Sequence, residues 1–129
     1  MSRMATPKKR PTDAELAILR VLWSLGACTV RQVADALGPD TGYTTALKML
    51  QIMTEKGLVV RDERQRTHVY DAAYSQSETQ HTLVSDLLDR AFGGSAAKLV
   101  LQALASRKTS PAELAEIRRF LEKKGGGAR

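Results

Sequence analysis

Short hydroxyl side chains and one lysine are grouped at the beginning of a predicted helix that runs from about Thr44 to Lys56. Tyr43, Thr44 and Thr45 occupy its first turn, and Lys48 follows one turn later. The amides and dipole at this end of a helix favour phosphate. Threonine can contact a thymine methyl or a base-edge acceptor, and lysine can reach guanine or phosphate. The spacing therefore predicts that this helix end contacts DNA.

Three arginines follow this helix in a predicted β-hairpin. The apolar period changes from that of a helix to that of a strand over 58–62 and again over 67–71, with a polar turn between. Arg61, Arg64 and Arg66 lie at or near the hairpin tip. Three helices followed by a hairpin are the order of a winged helix-turn-helix, whose third helix enters the major groove.

Other interpretations of these residues remain open. Three short helices and a hairpin can also form a protein-binding module, which would make the chain a helical interaction adaptor without specific DNA binding. Thr44 can be an ordinary helix N-cap. Lys48 and the hairpin arginines can form a solvated charged face. Salt distinguishes the two functions, because the affinity of a DNA-binding protein falls steeply as salt rises.

Residues that could support catalysis or hold a metal are few. Cys28 is the only cysteine, and His68 and His81 are the only histidines. Because Cys28 is remote in sequence from both histidines, the pattern favours a small buried thiol over a Cys–His dyad. The chain has no glycine-rich phosphate loop and too few ligands for a metal site. The sequence therefore predicts no enzyme, no cofactor and no metal.

Capping residues mark the helices that must position the candidate DNA contacts. Thr12 with Glu15, and Thr29 with Gln32, have the capping-box spacing that begins a helix. Residues 11–74 are thus predicted to form a winged-helix domain. Its apolar residues recur at helical spacing: Leu16, Leu19, Leu22 and Trp23 in the first helix, Val30, Val33, Ala34 and Leu37 in the second, and Ala46, Met49, Leu50 and Met53 in the third.

A helical dimerisation domain is predicted over residues 75–124. Ser75 with Glu78, and Ser110 with Pro111, mark the beginnings of two helices, and a third lies between them. Such a unit has too small a core to stand alone, so its apolar faces are expected to meet those of a second chain. Packing against the chain's own first domain is the alternative. The candidate dimer residues are Leu87, Phe92, Leu99, Leu104 and Phe120.

The composition is typical of a DNA-binding protein, and the single cysteine fits a reducing cytoplasm. Lys and Arg number 20 against 14 Asp and Glu, a formal net charge of +6. Residues 1–10 are predicted to be a flexible basic arm and 125–129 a flexible tail. No signal peptide is evident, and no apolar run approaches the roughly 20 residues that span a bilayer. The expected protein is mainly α with a small β-hairpin and is not inserted in a membrane.

Several segments together resemble the BlaI/MecI family of penicillinase and methicillin-resistance repressors. They are TDAELAILRVLW, TVRQVADAL and YTTALKMLQIMTEKGLVVRDERQRTHVY, and the similarity continues through LVLQALASRKTSPAELAEIRRFLEKK. The resemblance covers about residues 11–124. It implies a homodimeric repressor with an N-terminal winged helix and a C-terminal helical dimerisation domain. Its partner would be a double-stranded, inverted-repeat DNA operator ahead of resistance genes.

The same resemblance implies how repression ends. In such systems a membrane-bound sensor metalloprotease detects the β-lactam, and the repressor is cut in its dimerisation domain. The best-known members are cut at an Asn–Phe bond, and the matching residues here are Gln102 and Ala103. These two are the candidate cleavage site, with the polar stretch 106–109 as the alternative. The copper-responsive branch carries paired Cys-x-Cys motifs, which this chain lacks, so copper sensing by that route is excluded.

Overall fold

The computed structural model describes residues 10–127, so most of the predicted basic arm and the last two residues lie outside it. Within that range the chain forms six helices and one antiparallel pair of strands, as expected. It divides into two compact units, the first ending at Asp86 and the second beginning at Leu87. The elements are α1 (Asp13–Leu25), α2 (Val30–Leu37), α3 (Tyr43–Lys56), β1 (Val59–Asp62), β2 (Val69–Ala72), α4 (Gln76–Ala91), α5 (Ala96–Ser106) and α6 (Pro111–Gly127).

Capping boxes begin α1 and α2, which confirms the prediction. The Thr12 hydroxyl accepts a hydrogen bond from the Glu15 amide at 3.1 Å, and the Glu15 carboxylate accepts one from the Thr12 amide at 2.9 Å. Thr29 and Gln32 form the same pair of hydrogen bonds at 3.1 and 2.8 Å. Each box satisfies amides that the first turn of a helix leaves without partners.

The beginning of α3 differs from the sequence-based expectation. The N-cap is Gly42, and no side chain caps the helix. Thr44 therefore lies within the first turn, and its interpretation as an N-cap is wrong. Because the helix has no side-chain cap, the hydroxyls of Thr44 and Thr45 are not used to begin it.

The hairpin that follows α3 begins at a left-handed glycine. Gly57, with φ of +80°, ends the helix and turns the chain into β1. The strands pair with Val59 opposite Ala72 and Asp62 opposite Val69. A further bridge, which was not predicted, joins Cys28 to Tyr70, whose backbones exchange hydrogen bonds of 2.8 and 2.7 Å. The segment before α2 is thereby tied to the hairpin.

The hydrophobic core lies entirely within the first unit. It holds one face of α3 against α1, α2 and the hairpin, so the opposite face of α3 is presented to solvent. Of the apolar residues that define the predicted stripes, Leu16, Trp23, Leu37 and Met49 are only partly buried. The core residues are Ile18, Leu19, Leu22, Cys28, Val30, Val33, Ala34, Ala46, Leu50, Met53, Leu58, Val59 and Tyr70.

An ion pair joins the beginning of α1 to the end of α3. Lys56 Nζ donates to Glu15 Oε2 at 2.8 Å, and the Glu15 side chain is 7% exposed. Burial alone would raise the pKa of Glu15, but the hydrogen bonds from Lys56 and Thr12 outweigh it and leave the pKa below its ordinary value. The Glu15 carboxylate therefore caps the beginning of α1 and also binds Lys56 at the last turn of α3.

Glu15→Gln is expected to lower the free energy of unfolding by about 1–3 kcal/mol at neutral pH. The glutamine can still cap α1, so the change removes the charge and leaves the cap. The pKa of Glu15 is lower in the folded protein than in the unfolded chain. The ion pair therefore stabilises the folded protein fully at any pH above the pKa of Glu15 in the unfolded chain. That contribution is lost as pH falls through the folded pKa.

Urea unfolding between pH 3 and pH 7 measures this difference. The gap between wild type and Glu15→Gln should be widest at neutral pH and should narrow in acid. Glu55→Gln, an exposed change on α3, is the control and should follow wild type throughout. A gap that stays constant with pH would contradict the ion-pair assignment.

The first part of α4 belongs to the first unit. Thr79 is buried, and the Trp23 indole donates to the backbone carbonyl of Tyr74 at 3.0 Å. Arg10 pairs with Asp86 at 3.0 Å. The buried Thr79 and the Arg10–Asp86 pair join the first part of α4 to the first unit, and the division falls inside α4, further along the chain than the 74/75 boundary expected from sequence.

The second unit consists of the end of α4 with α5 and α6, and none of its described side chains is buried. α6 continues to Gly127, so residues 125–127 of the expected tail are helical. None of the described helices has the length and apolar character that a bilayer-spanning segment requires.

Candidate nucleic-acid interface

The solvent-facing side of α3 carries the side chains that sequence analysis selected. Ala46, Leu50 and Met53 are 0% exposed and fix the inward face of the helix. Thr44, Thr45 and Lys48 face outward and are exposed, and Tyr43, which is exposed as well, lies at the beginning of the helix on the side of the cleft described below. The structure therefore brings the four predicted contacts together on one end of one helix.

Two further residues extend this exposed face toward the end of α3. Gln51 and Ile52 are exposed, Ile52 to 39%. A glutamine amide can donate to and accept from the edge of adenine, and an apolar side chain can contact a thymine methyl. The helical spacing placed both residues on the outward face, but the hydroxyl and lysine criteria did not select them.

The hairpin arginines differ in how they are engaged. Arg64 forms a bidentate ion pair with Asp62, with Nε–Oδ1 and Nη2–Oδ2 distances of 3.0 and 2.8 Å. The Arg64 side chain and backbone amide lower the pKa of Asp62 to about 2, so the carboxylate stays charged at neutral pH. Arg61 pairs with Glu63. Arg66 is exposed and has no ion pair within residues 10–127.

A cleft of about 440 Å³ lies between the hairpin and the beginnings of α2 and α3. The guanidinium of Arg31, in the first turn of α2, stands 5.2 Å from the centre of the Tyr43 ring, a cation–π contact. Sequence analysis missed Arg31, although a basic residue in the first turn of the second helix was a usable signal. The cleft is lined by Thr29, Val30, Arg31, Tyr43, Leu47, Arg66, Thr67, His68 and Tyr70.

The cysteine is buried, whereas both histidines are exposed. Cys28 is 2% exposed, and its thiol donates to the Gly26 carbonyl at 3.3 Å. Burial, helped by the negative charge of Asp71, raises the pKa of the thiol and keeps it protonated. His68 and His81 are exposed, and the described residues contain no cluster of three or more potential metal ligands.

The candidate dimer and cleavage residues all lie in the second unit. Leu87 and Phe120 are 45% and 63% exposed, whereas Phe92, Leu99 and Leu104 are partly buried. Gln102 and Ala103 are exposed residues of α5, and the alternative cleavage stretch 106–109 begins at the last residue of that helix.

Comparison with known proteins finds repressors and transcriptional regulators among the relatives of this chain. A family model described as "Penicillinase repressor" matches residues 11–123. The transcriptional regulator BlaI of Mycobacterium tuberculosis is 37% identical over 82 residues, which cover 61% of this chain and 59% of that protein. The chain thus spans less than two thirds of that relative. The penicillinase repressor of Bacillus licheniformis is 26% identical over 119 residues, covering 89% of this chain and 93% of that protein.

A solved structure agrees with the fold. A MarR family protein from Bacillus stearothermophilus matches with a TM-score of 0.51 and 15% identity, covering 93% of this chain and 76% of that one. This likeness concerns the fold alone and agrees with the winged-helix arrangement. The family model spans nearly all of the described residues and describes a repressor, which confirms the expectation that the chain is not an enzyme. The chain belongs to the penicillinase repressor family of DNA-binding transcriptional regulators.

Proposed function

We propose that this chain represses transcription by binding an inverted-repeat DNA operator as a homodimer. The observation that carries the proposal is the exposed face of α3, where Thr44, Thr45 and Lys48 project from a helix whose other face is locked in the core. Short side chains let the helix backbone approach the floor of the major groove, and Lys48 can then reach a guanine edge. The hairpin beside α3 supplies the wing.

The second unit supports the homodimer. Its described side chains include large apolar residues, yet none of them is buried within the chain. Leu101 and Phe120 are 66% and 63% exposed. Apolar surface of this kind is stabilised when it is removed from water, and a second copy offers the same surface by symmetry. A dimer would also present two copies of α3 to the two half-sites of a palindrome.

The family relationship supports genes of β-lactam resistance as the regulated targets. The Bacillus licheniformis relative is a penicillinase repressor by name. Release would then follow cleavage of the second unit by a sensor-linked metalloprotease, with the Gln102–Ala103 bond as the candidate. The chain's part in this scheme is to hold two DNA-binding units together until the bond is cut.

Lys48→Ala is the direct test of DNA reading by α3. A duplex enriched by the wild-type protein from a random library serves as the operator, and a scrambled duplex of equal length as the reference. If Lys48 reads a base, the variant should lose roughly 1–3 kcal/mol of binding free energy on the operator and far less on the scrambled duplex. Fluorescence anisotropy at fixed salt measures both.

Lys108→Ala is the matched control, because it removes the same charge from the loop between α5 and α6. It should leave the preference for the operator unchanged. If wild type enriches no duplex and binds DNA without dependence on salt, the repressor proposal fails and a protein-interaction adaptor takes its place.

A further inference from the structure

The cleft between the hairpin and the beginnings of α2 and α3 has the composition of an anion site. Arg31 faces it from α2, and Arg66 and His68 face it from the hairpin. No aspartate or glutamate is among its lining residues. Arg31, Arg66 and His68 are all exposed as well as lining the cleft, so an anion can reach them from solvent.

Of the three hairpin arginines, the one that lines this cleft is Arg66. Strands and tip carry three arginines against Asp62, Glu63 and Asp71. Arg61 and Arg64 are each held by a neighbouring carboxylate, so an incoming anion must compete with a partner already in place. Arg66 has no such partner within residues 10–127, and its side chain lines the cleft.

Arg31 is oriented without being neutralised. Its guanidinium lies 5.2 Å from the centre of the Tyr43 ring, and an aromatic face attracts a cation while leaving its full charge and its N–H donors. The contact also links the first turn of α2 to the first turn of α3. A group held by Arg31 is therefore held at a fixed position relative to the helix that faces the groove.

We propose that this cleft binds one phosphate of the DNA backbone, with Arg31 on one side and Arg66 and His68 on the other. The proposal rests on the proposed function and specifies a contact within it. Phosphate contacts carry no sequence information, but they fix the register and orientation of a protein on the duplex. A phosphate held between α2 and the hairpin would set how deeply α3 enters the groove.

Arg31→Ala and Arg66→Ala should each weaken binding to the operator duplex and the scrambled duplex by similar factors. Each lost phosphate contact should flatten the slope of log K against log salt by about 0.9, hence by about 1.8 for a dimer. Arg20→Ala removes an equal charge from α1 outside the cleft and should leave the slope unchanged. Thermal unfolding confirms that each variant is folded.

Operator duplexes with one neutral methylphosphonate at each backbone position in turn identify the phosphate. At one position per half-site, the neutral linkage should weaken wild type most and each single variant less, and it should change the affinity of the Arg31→Ala/Arg66→Ala double variant little. Coupling of the two arginines to different positions, or slopes like that of Arg20→Ala, would overturn the proposal. If only the phosphate site is wrong, these variants still prefer the operator duplex over the scrambled duplex. If the repressor function is wrong, the wild-type protein itself prefers no duplex.

Discussion

Replacing Leu99 by Asp is expected to separate the two chains and to lower operator affinity about 10²- to 10⁴-fold. Leu99 is a partly buried residue of α5, in a unit whose described apolar side chains have no core of their own. A charge in the shared interface would be buried without a partner. Once the chains separate, the second half-site no longer benefits from the high effective concentration that linkage provides. Sedimentation equilibrium and operator titration measure the two effects.

Lys98→Asp is the control, because it places the same carboxylate at an exposed position in the first turn of the same helix, where a negative charge is favourable. It should remain a dimer. Trp23, the only tryptophan, donates to the Tyr74 carbonyl within the first unit, so its fluorescence reports whether that unit is folded. Unchanged emission from a monomeric Leu99→Asp chain is the expected result. A wild-type chain that is monomeric at micromolar concentration would contradict the proposed dimer.

Local signals allowed most of the fold to be predicted from sequence. Capping boxes depend on residues three apart, so the beginnings of α1 and α2 follow directly from Thr12 and Thr29. The change of apolar period after Gly57 marks the hairpin. The outward face of α3 then follows from its buried face, since helical spacing fixes both.

Contacts between distant parts of the chain could not be predicted in this way. Glu15 and Lys56 are 41 residues apart, and nothing in the local pattern of either indicates that they meet. The bridge between Cys28 and Tyr70 also depends on how the elements pack. The place of Arg31 in the first turn of α2 can be read from the sequence, but its contact with Tyr43 arises only when α2 and α3 are assembled.

The charge pattern of the hairpin shows a further limit of sequence analysis. Arg61, Arg64 and Arg66 are equivalent in a count of basic residues. Among the described residues the first two are engaged by neighbouring carboxylates, and the third has no carboxylate partner. Which arginine remains available for DNA depends on side-chain geometry, which a count of charges does not contain.

The candidate cleavage bond lies in α5, where the side chains on both sides of it are exposed. Gln102 and Ala103 are exposed in α5, but a protease needs an extended segment, so the helix must open locally before this bond is cut. Residues 107–110 are not helical and need no such opening. In the proposed dimer, packing of α5 against the second copy would raise the cost of opening.

Cutting the chain at either place is expected to lower operator affinity about 10²- to 10⁴-fold while leaving every proposed DNA-contacting side chain intact, because only the linkage between two half-site contacts is lost. Mass spectrometry of the protein from cells exposed to a β-lactam should show fragments that end at Gln102 or within 106–109. Purified Leu99→Asp should be cut within α5 faster than wild type by a nonspecific protease, since its α5 lacks the second copy, whereas Lys98→Asp should resist like wild type. An intact chain in cells whose operator genes are nevertheless induced would contradict release by proteolysis and would require a signal that acts on the uncut dimer.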